Sequence, residues 1–181
     1  MVDAQLHLII SSELCQVRFL SAAVRAVLGE LSYPSERISA VELCLVEAVN
    51  NVIEHAYREE AGHSVALRIQ ASAARVEVVV SDAGISMPEE SLAHARARQR
   101  ELAGQESLSL AEVELDSIAE GGYGLGLIIE LMDQVTYHRD NGRNFLTMSL
   151  QVDLDQAAGE SVGAASPPAP EPAVPIPPTS S

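Results

Sequence analysis

The chain has 181 residues, of which 47% are hydrophobic and 3% aromatic, and its formal net charge at pH 7 is −15. That content is enough for one ordinary domain with an aliphatic core, whereas the acidic balance argues against nucleic acid as a partner. Every basic residue besides histidine is arginine, so the lysine on which P-loop ATPases and ordinary protein kinases depend is missing.

The sequence has no sign of a membrane segment. No apolar run approaches the roughly 18 residues of a membrane span, and the amino terminus lacks the plan of a signal peptide. We therefore expect a cytoplasmic protein with no membrane partner. Cys15 and Cys44 fall on apolar helix faces, so we expect both to be buried free thiols.

The first part of the chain predicts a strand followed by a helix. Residues 4–10 alternate apolar and polar side chains, as a strand does. Ser11 or Ser12 is expected to cap the helix, with Glu13 in its first turn, where an acidic group suits the helix dipole. The apolar spacing carries this helix to about Leu31.

A second helix, which opens at the break Tyr33-Pro34-Ser35 and runs to Tyr57, carries polar groups at a particular spacing. Its apolar residues recur every three or four positions, which is the stripe of a helix packed on a core. Glu47 and Asn51 are four residues apart and share one face. Because this helix is so apolar, we expect both groups at the core margin, as a general base beside a metal ligand would be. A solvated helix face is the common alternative for such a pair.

Two strands follow, and the second leads into a candidate ligand group. Residues 65–71 and 76–80 alternate, and the short link between them predicts an antiparallel hairpin. Asp82 and Gly84 come directly afterwards. An acidic residue beside a glycine at a strand end can bind a ligand, and it can equally form an ordinary turn.

Residues 89–120 have little apolar periodicity, which predicts an extended lid and not a part of the core. Within them a polar helix is expected over about 92–102, with Arg96, Arg98 and Arg100 on it. A solvated face is the expected role of these arginines, and a partner surface or a phosphate sensor are the alternatives.

Gly122, Gly124 and Gly126 stand at the start of an apolar helix pattern. Backbone N–H groups at the positive end of a helix form a phosphate cradle, whereas a flexible hinge is the alternative for so many glycines. The spacing is not the Rossmann fingerprint, since Ile129 stands where that motif needs Gly or Ala. It is not a P-loop either.

Residues 135–138 and 145–152 predict two further strands, joined at Asn141-Gly142, which is the strongest short hairpin signal. The triplet 138–140 imitates the catalytic loop of a protein kinase, but Phe145 stands where that loop requires Asn.

A tail follows the last strand. Seven of the nine prolines lie in the last fifteen residues. The sequence therefore predicts one domain over 1–155 and a disordered Pro-, Ala- and Ser-rich tail over 156–181.

Three separated elements resemble, in order, the N, G1 and G2 boxes of the GHKL ATPase superfamily: Glu47 with Asn51, Asp82 with Gly84, and Gly122 with Gly124 and Gly126. More narrowly, the phrases at 47–57, 120–125 and 131–133 resemble the bacterial anti-sigma-factor serine/threonine kinases. The resemblance covers about residues 5–152. It implies a two-layer α/β sandwich of the GHKL (Bergerat) type, in which a mixed, mainly antiparallel sheet is covered on one face by helices.

The resemblance also implies a role for each matching residue. Glu47 would be the general base that accepts the proton of a target serine. Asn51 would hold Mg²⁺ through its amide oxygen, and Asp82 would accept a hydrogen bond from the adenine amino group of ATP. The glycines would let the backbone approach the nucleotide, Gly84 beside the base and Gly122, Gly124 and Gly126 along the phosphates.

By the same resemblance, the protein is expected to be an ATP-dependent serine/threonine kinase that phosphorylates a STAS-domain antagonist. It would sequester a sigma factor or another output protein by partner switching, and it would form a homodimer through its sheet and first helix. The alternative is a nucleotide-binding regulatory module that switches partners without phosphoryl transfer. Ser86 in place of the second G1 glycine, and the long lid, are the reasons for that alternative.

Overall fold

The computed structural model describes residues 3–103 and 123–152. The predictions for Gly122, for most of the lid and for the tail from 156 therefore lie outside the described residues.

The described chain contains one strand followed by two helices, a pair of strands, two further helices and a second pair of strands. The strands are β1 (Ala4–Ser11), β2 (Ser64–Ala71), β3 (Arg75–Asp82), β4 (Gln134–Asp140) and β5 (Arg143–Gln151). The helices are α1 (Leu14–Glu30), α2 (Ser35–Asn51) with the π-helical turn Val52–Ala56 directly after it, α3 (Glu90–Ala103) and α4 (Tyr123–Leu131). The strand boundaries expected from the sequence hold to within about two residues, whereas the second helix leaves the α form after Asn51, before the end expected at Tyr57.

The five strands form one sheet in the order β1-β2-β3-β5-β4, and every described pairing is antiparallel. The predicted β2–β3 hairpin is confirmed. So is the β4–β5 hairpin, where Asn141 and Gly142 have φ of 46° and 80°. Two successive positive φ angles are the signature of the type I′ turn, which matches the twist of the strands it joins. The predicted α/β class with helices on the sheet is confirmed.

Helices cover one face of the sheet. Alternate strand residues are completely or almost completely buried beneath α1 and α2, as are the apolar stripes of both helices. The largest fully buried side chains are those of Leu20, Leu28, Leu45, Leu67, Ile69, Met148 and Leu150, together with Ile128 of α4. Each such side chain contributes about 1.5–3 kcal/mol through removal from water. This aliphatic core holds α2, and with it Glu47 and Asn51, against the sheet.

The start of α1 differs from the prediction. Neither Ser11 nor Ser12 caps the helix, and Glu13 is the N-cap residue and makes no side-chain capping bond. The Ser12 hydroxyl instead donates to the Glu60 carbonyl at 2.6 Å, and the Ser12 N–H donates to the His63 carbonyl. Ser12 therefore ties the end of β1 to the loop before β2, and this long-range contact takes the place of the local cap.

The two cysteines also differ from each other. Cys44 is buried as expected, whereas Cys15 is exposed, so the prediction for Cys15 was wrong. Cys15 is the second residue of α1 and lies before the part of that helix that packs on the sheet. Burial, together with the nearby Glu47 carboxylate, raises the pKa of the Cys44 thiol to about 12. In the residues that the structure describes, no helix is both long and apolar enough to cross a membrane.

Candidate functional site

A cavity of about 300 Å³ opens between the carboxyl end of α2 and the ends of β3 and β5. This volume is at the lower end of the range for small-molecule sites. Its walls are mostly apolar, with a few convergent polar groups, and the lining includes Asn51, His55, Asp82, Met87, Leu125, Tyr137, Asn144 and Leu146. A wider hollow of about 680 Å³ lies nearby, but among the predicted residues it contains only Gly84.

Asp82 is the acidic group of this cavity and is only 4% exposed. Its Oδ1 accepts hydrogen bonds from the Gly84 N–H at 2.8 Å and from Asn144 Nδ2 at 2.7 Å. Burial raises the pKa of the Asp82 carboxyl, while these two bonds and the charges of Arg139 and Arg143 act in the opposite direction. A buried carboxylate held by donors on one oxygen is suited to accept a ligand hydrogen bond on the other.

Gly84 holds the loop after β3 against the π-helical turn. A Cβ at this position would lie 2.7 Å from the carbonyl carbon of Ala56 and even closer to its oxygen. The same Ala56 oxygen accepts a hydrogen bond from the Ile85 N–H at 2.9 Å. Glycine is therefore required here by close backbone approach and not by an unusual φ.

The π-helical turn itself follows Asn51 directly. The Tyr57 N–H donates to the Val52 carbonyl at 2.9 Å, a bond that spans five residues where an α-helix spans four. Such turns are frequent at functional sites. Here it brings Ala56 beneath the loop that carries Asp82 and Gly84.

Glu47, Asn51 and Gly124 meet where α2 contacts α4. A Cβ on Gly124 would lie 2.5 Å from Glu47 Oε2 and 3.6 Å from both Asn51 Nδ2 and Asn51 Oδ1. Both polar side chains are half-buried, as the helix pattern predicted. Glycine at position 124 leaves this space to the carboxylate, whereas a Cβ there would make the flexible Glu47 side chain move.

The glycine motif begins the last helix. Gly124 and Gly126 lie in the first turn of α4, and a Cβ on Gly126 would meet no atom within 4 Å. The first N–H groups of a helix have no partner within the helix and point outward along its axis. The amino-terminal end of a helix therefore favours the binding of anions. The helix start is confirmed, and phosphate binding there stays a prediction.

Three residues of the site were missed by the sequence analysis. Asn144 is 3% exposed and contacts Asp82, while its Oδ1 accepts hydrogen bonds from Tyr137 and Arg139, both at 2.8 Å. A signal for Asn144 was present, since it shares a strand face with Leu146, Met148 and Leu150. A lone amide on such an apolar face needs a buried partner.

The segment that precedes the predicted lid lies beside the same cluster. The Met87 N–H donates to the Tyr137 hydroxyl at 2.9 Å, one residue after the exposed Ser86. Further along, Arg96 donates to the Val135 carbonyl at 2.6 Å and so fastens α3 to β4. Arg96 is exposed, as expected for a solvated face, and it makes this hydrogen bond in addition.

Asn51 is the described residue of this site whose chemistry would suit Mg²⁺. Within residues 3–103 and 123–152, no group of three or more His, Cys, Asp or Glu side chains could hold an ion. The Asn51 amide oxygen lies at the cavity edge, beside the start of α4. Mg²⁺ commonly takes one or two protein oxygens and completes its shell with phosphates and water.

Comparison with known proteins agrees with this geometry. Residues 10–150 match the family model for the histidine kinase-like ATPase domain. The serine-protein kinase RsbW of Bacillus subtilis (strain 168) is 29% identical over 126 residues, which are 70% of this chain and 72% of that protein. The protein of the same name from Halalkalibacterium halodurans is 31% identical over 121 residues, 66% of each chain.

Among solved structures, a chain of the SiaB–SiaC complex from Pseudomonas aeruginosa is similar with a TM-score of 0.48 and 14% identity. The match covers 80% of this chain and 89% of that one.

The family match spans the helix with Glu47 and Asn51, the loop with Asp82 and Gly84, and the first turn of α4. The chain therefore belongs to the histidine kinase-like ATPase domain family.

Proposed function

We propose that this protein is an ATP-dependent serine/threonine protein kinase that controls an output protein by partner switching. The observation that carries the proposal is the meeting of Glu47, Asn51 and Gly124 where α2 contacts α4, because Asn51 also lines the cavity that contains Asp82. A protein that only bound nucleotide would need Asp82 and the helix start, but it would have no use for a carboxylate beside them. The similarity to proteins named serine-protein kinase supports the same reaction.

In this proposal the cavity orients ATP. The adenine amino group donates to Asp82, Gly84 allows the backbone to approach the base, and Leu146 and Val80 provide apolar walls. The phosphates extend toward Asn51 and the glycines at 122, 124 and 126. Asn51 would hold Mg²⁺, which supplies charge neutralisation at the phosphates when bound.

Glu47 would act on the attacking hydroxyl. A serine hydroxyl does not ionise at neutral pH, so it needs a positioned base to take its proton as the bond to phosphorus forms. Glu47 Oε2 occupies the space that a Cβ on Gly124 would fill, so the carboxylate lies beside the place proposed for the phosphates. The remaining requirement of phosphoryl transfer is positioning, which the core-packed α2 provides.

The proposed substrate is a serine of a STAS-domain antagonist, and the proposed output partner is a sigma factor or a comparable protein. We also propose a homodimer that pairs through β1 and α1. β1 is an edge strand, and Ile9, Leu14 and Phe19 on these elements are 63%, 60% and 53% exposed. The proposed domain occupies residues 1–155, followed by the tail from 156 to 181.

The test is a transfer assay with radiolabelled ATP, Mg²⁺ and STAS-domain proteins encoded near this one. We expect label on a serine of one partner with the wild type and loss of at least 100-fold in rate with Glu47→Gln, the lower bound for a general base. Glu54→Gln is the matched control, since Glu54 is an exposed carboxylate on the next turn. It should transfer phosphate at the wild-type rate.

Binding of ADP must be measured for the same variants. Glu47→Gln that binds ADP normally and transfers nothing supports the role of Glu47 as base. Normal transfer by Glu47→Gln would exclude that role. ADP binding by the wild type, without transfer to any of several STAS-domain proteins, would favour the module that switches partners without chemistry.

A further inference from the structure

The hydrogen bonds around Asn144 allow only one orientation of its amide. The guanidinium of Arg139 can only donate, so the Asn144 atom that it contacts at 2.8 Å must be the oxygen. On the other side, the carbonyls of Gly84 and Ile85 can only accept, at 3.4 and 3.2 Å, so the atom facing them must be the nitrogen. The orientation is thus determined from both sides.

The Tyr137 hydroxyl adds a second donor on the oxygen side. Its oxygen accepts from the Met87 N–H at 2.9 Å, and its single proton is directed to Asn144 Oδ1 at 2.8 Å. Since the Met87 amide can only donate, the hydroxyl does not reverse its direction.

The consequence reaches Asp82. Because Asn144 must present its nitrogen, Asp82 Oδ1 faces two donors, Asn144 Nδ2 and the Gly84 N–H. These bonds favour the ionised carboxylate, in which Oδ2 is also an acceptor. A proton on Oδ2 would turn the same oxygen into a donor.

We propose that Tyr137 and Arg139 are positioning residues that lock the Asn144 amide, keep Asp82 an acceptor and so select a 6-aminopurine over a 6-oxopurine. This inference rests on the proposed function, in which Asp82 contacts the base. The 6-amino group of adenine donates a hydrogen bond to the Asp82 carboxylate. The oxygen at the same position of hypoxanthine is an acceptor, so it and the carboxylate would repel each other. Selection therefore comes as much from rejection of the 6-oxo base as from attraction of the 6-amino base.

The charges around Asp82 give the proposal a pH dependence. Arg139 of β4 and Arg143 of β5 favour the carboxylate, burial opposes it, and Tyr137 and His55 are the other titratable groups that line the cavity. The raised pKa means that protonation begins at a higher pH than for an ordinary aspartate. The preference for the 6-amino base must fall as pH falls, and removal of the lock must move this loss to higher pH.

The experiment is calorimetric titration of the full chain with ADP and with inosine diphosphate between pH 5 and 8. The variants are Tyr137→Phe, Arg139→Gln and Asn144→Leu. Tyr33→Phe is the control, because the Tyr33 hydroxyl bonds the Ser72 carbonyl, far from the site in the chain and outside the cavity lining. A thermal unfolding curve of each variant verifies that it is folded.

We measure the preference as the dissociation constant of inosine diphosphate divided by that of ADP. This ratio should fall about fivefold in Tyr137→Phe and in Arg139→Gln, because each variant loses one hydrogen bond to the Asn144 amide. Asn144→Leu should reduce it by about 50-fold, since it removes the donor to Asp82 itself. In all three the pH at which the preference is lost should rise, and Tyr33→Phe should match the wild type.

The outcomes separate this inference from the function on which it rests. A wild type that binds neither nucleotide would refute the assignment of Asp82 to the base, and this inference with it. A wild type that prefers ADP, with folded Tyr137→Phe and Arg139→Gln variants that keep the same ratio and the same pH profile, would refute the lock alone. Weaker binding of both nucleotides in equal proportion would also refute it, because that result describes a structural role.

Discussion

Gly84→Ala tests whether close packing of the loop after β3 on the π-helical turn forms the site. The new Cβ would lie 2.7 Å from the Ala56 carbonyl carbon and 2.9 Å from its Cβ, with the oxygen closer still. These Ala56 atoms belong to the backbone or are bonded to it, so no side-chain rotation can relieve the contact. The loop after β3 must move instead. The hydrogen bond from Ile85 N–H to the Ala56 carbonyl, 2.9 Å long, is the first to be lost.

The change in the free energy of unfolding has two destabilising contributions and one stabilising contribution. Overpacking costs about 1–3 kcal/mol and the lost hydrogen bond about 1 kcal/mol. Alanine also restricts the unfolded chain, which stabilises the fold by about 0.4–1 kcal/mol where the conformation is compatible. The clash is the larger effect, and the net loss in free energy of unfolding is about 2 kcal/mol. For a domain of this size that corresponds to a fall in Tm of about 4–8 °C.

The assay is urea unfolding followed by circular dichroism, together with calorimetric binding of ADP. Gly29→Ala is the matched control, since Gly29 lies in α1 and a Cβ there would meet no atom within 4 Å. It should leave the stability equal or raise it by up to about 1 kcal/mol. Gly84→Ala should bind ADP at least tenfold more weakly. A Gly84→Ala variant as stable as Gly29→Ala would refute the packing argument.

Three further predictions follow from burial and charge. Asp82→Asn should abolish ADP binding yet raise Tm at pH 7, because a carboxyl whose pKa is raised in the folded protein destabilises that protein as pH rises above the pKa of the unfolded chain. The increase in Tm should become smaller toward pH 4, and an equal increase at both pH values would contradict this reasoning. Phe19→Glu should convert the proposed dimer to a monomer in light scattering, whereas Leu43→Glu, on another helix and 42% exposed, should not; a dimer that survives Phe19→Glu would exclude this face. At pH 8 a thiol reagent should modify Cys15 quickly and Cys44 only in denaturant, since the Cys44 pKa is about 12; two fast thiols per folded chain would contradict the burial of Cys44.

Much of the fold could be predicted because its signals are local. Alternation identified the strands, the 3.6-residue stripe identified α1 and α2, and Asn141-Gly142 identified its hairpin. The spacing of Glu47 and Asn51 placed both on one helix face. The apolar stripe of the same helix must face the core, which places these two residues at the core margin. These inferences depend on residues a few positions apart.

The missing cap of α1 has its physical cause in a contact distant in sequence. Ser12 has the chemistry of a cap, but it bonds to Glu60, 48 residues away. Arg96 is exposed, as its pattern predicts, and it also reaches the Val135 carbonyl across 39 residues. Local propensity describes the preference of a residue in the absence of distant partners. A hydrogen bond to a distant partner contributes about 1 kcal/mol, which is enough to outweigh that preference.

Patterns in the amino-acid sequence were sufficient to predict most of the elements, the aliphatic core and the candidate residues Glu47, Asn51 and Asp82. The packed fold brings Asp82, Asn144 and Tyr137 into one hydrogen-bonded unit, because antiparallel pairing of β3 with β5 and of β5 with β4 sets these residues side by side. It also decided that Gly124 lies against Glu47, since this depends on how α4 packs on α2. Register and helix packing are properties of the assembled core, and no short stretch of the chain contains them.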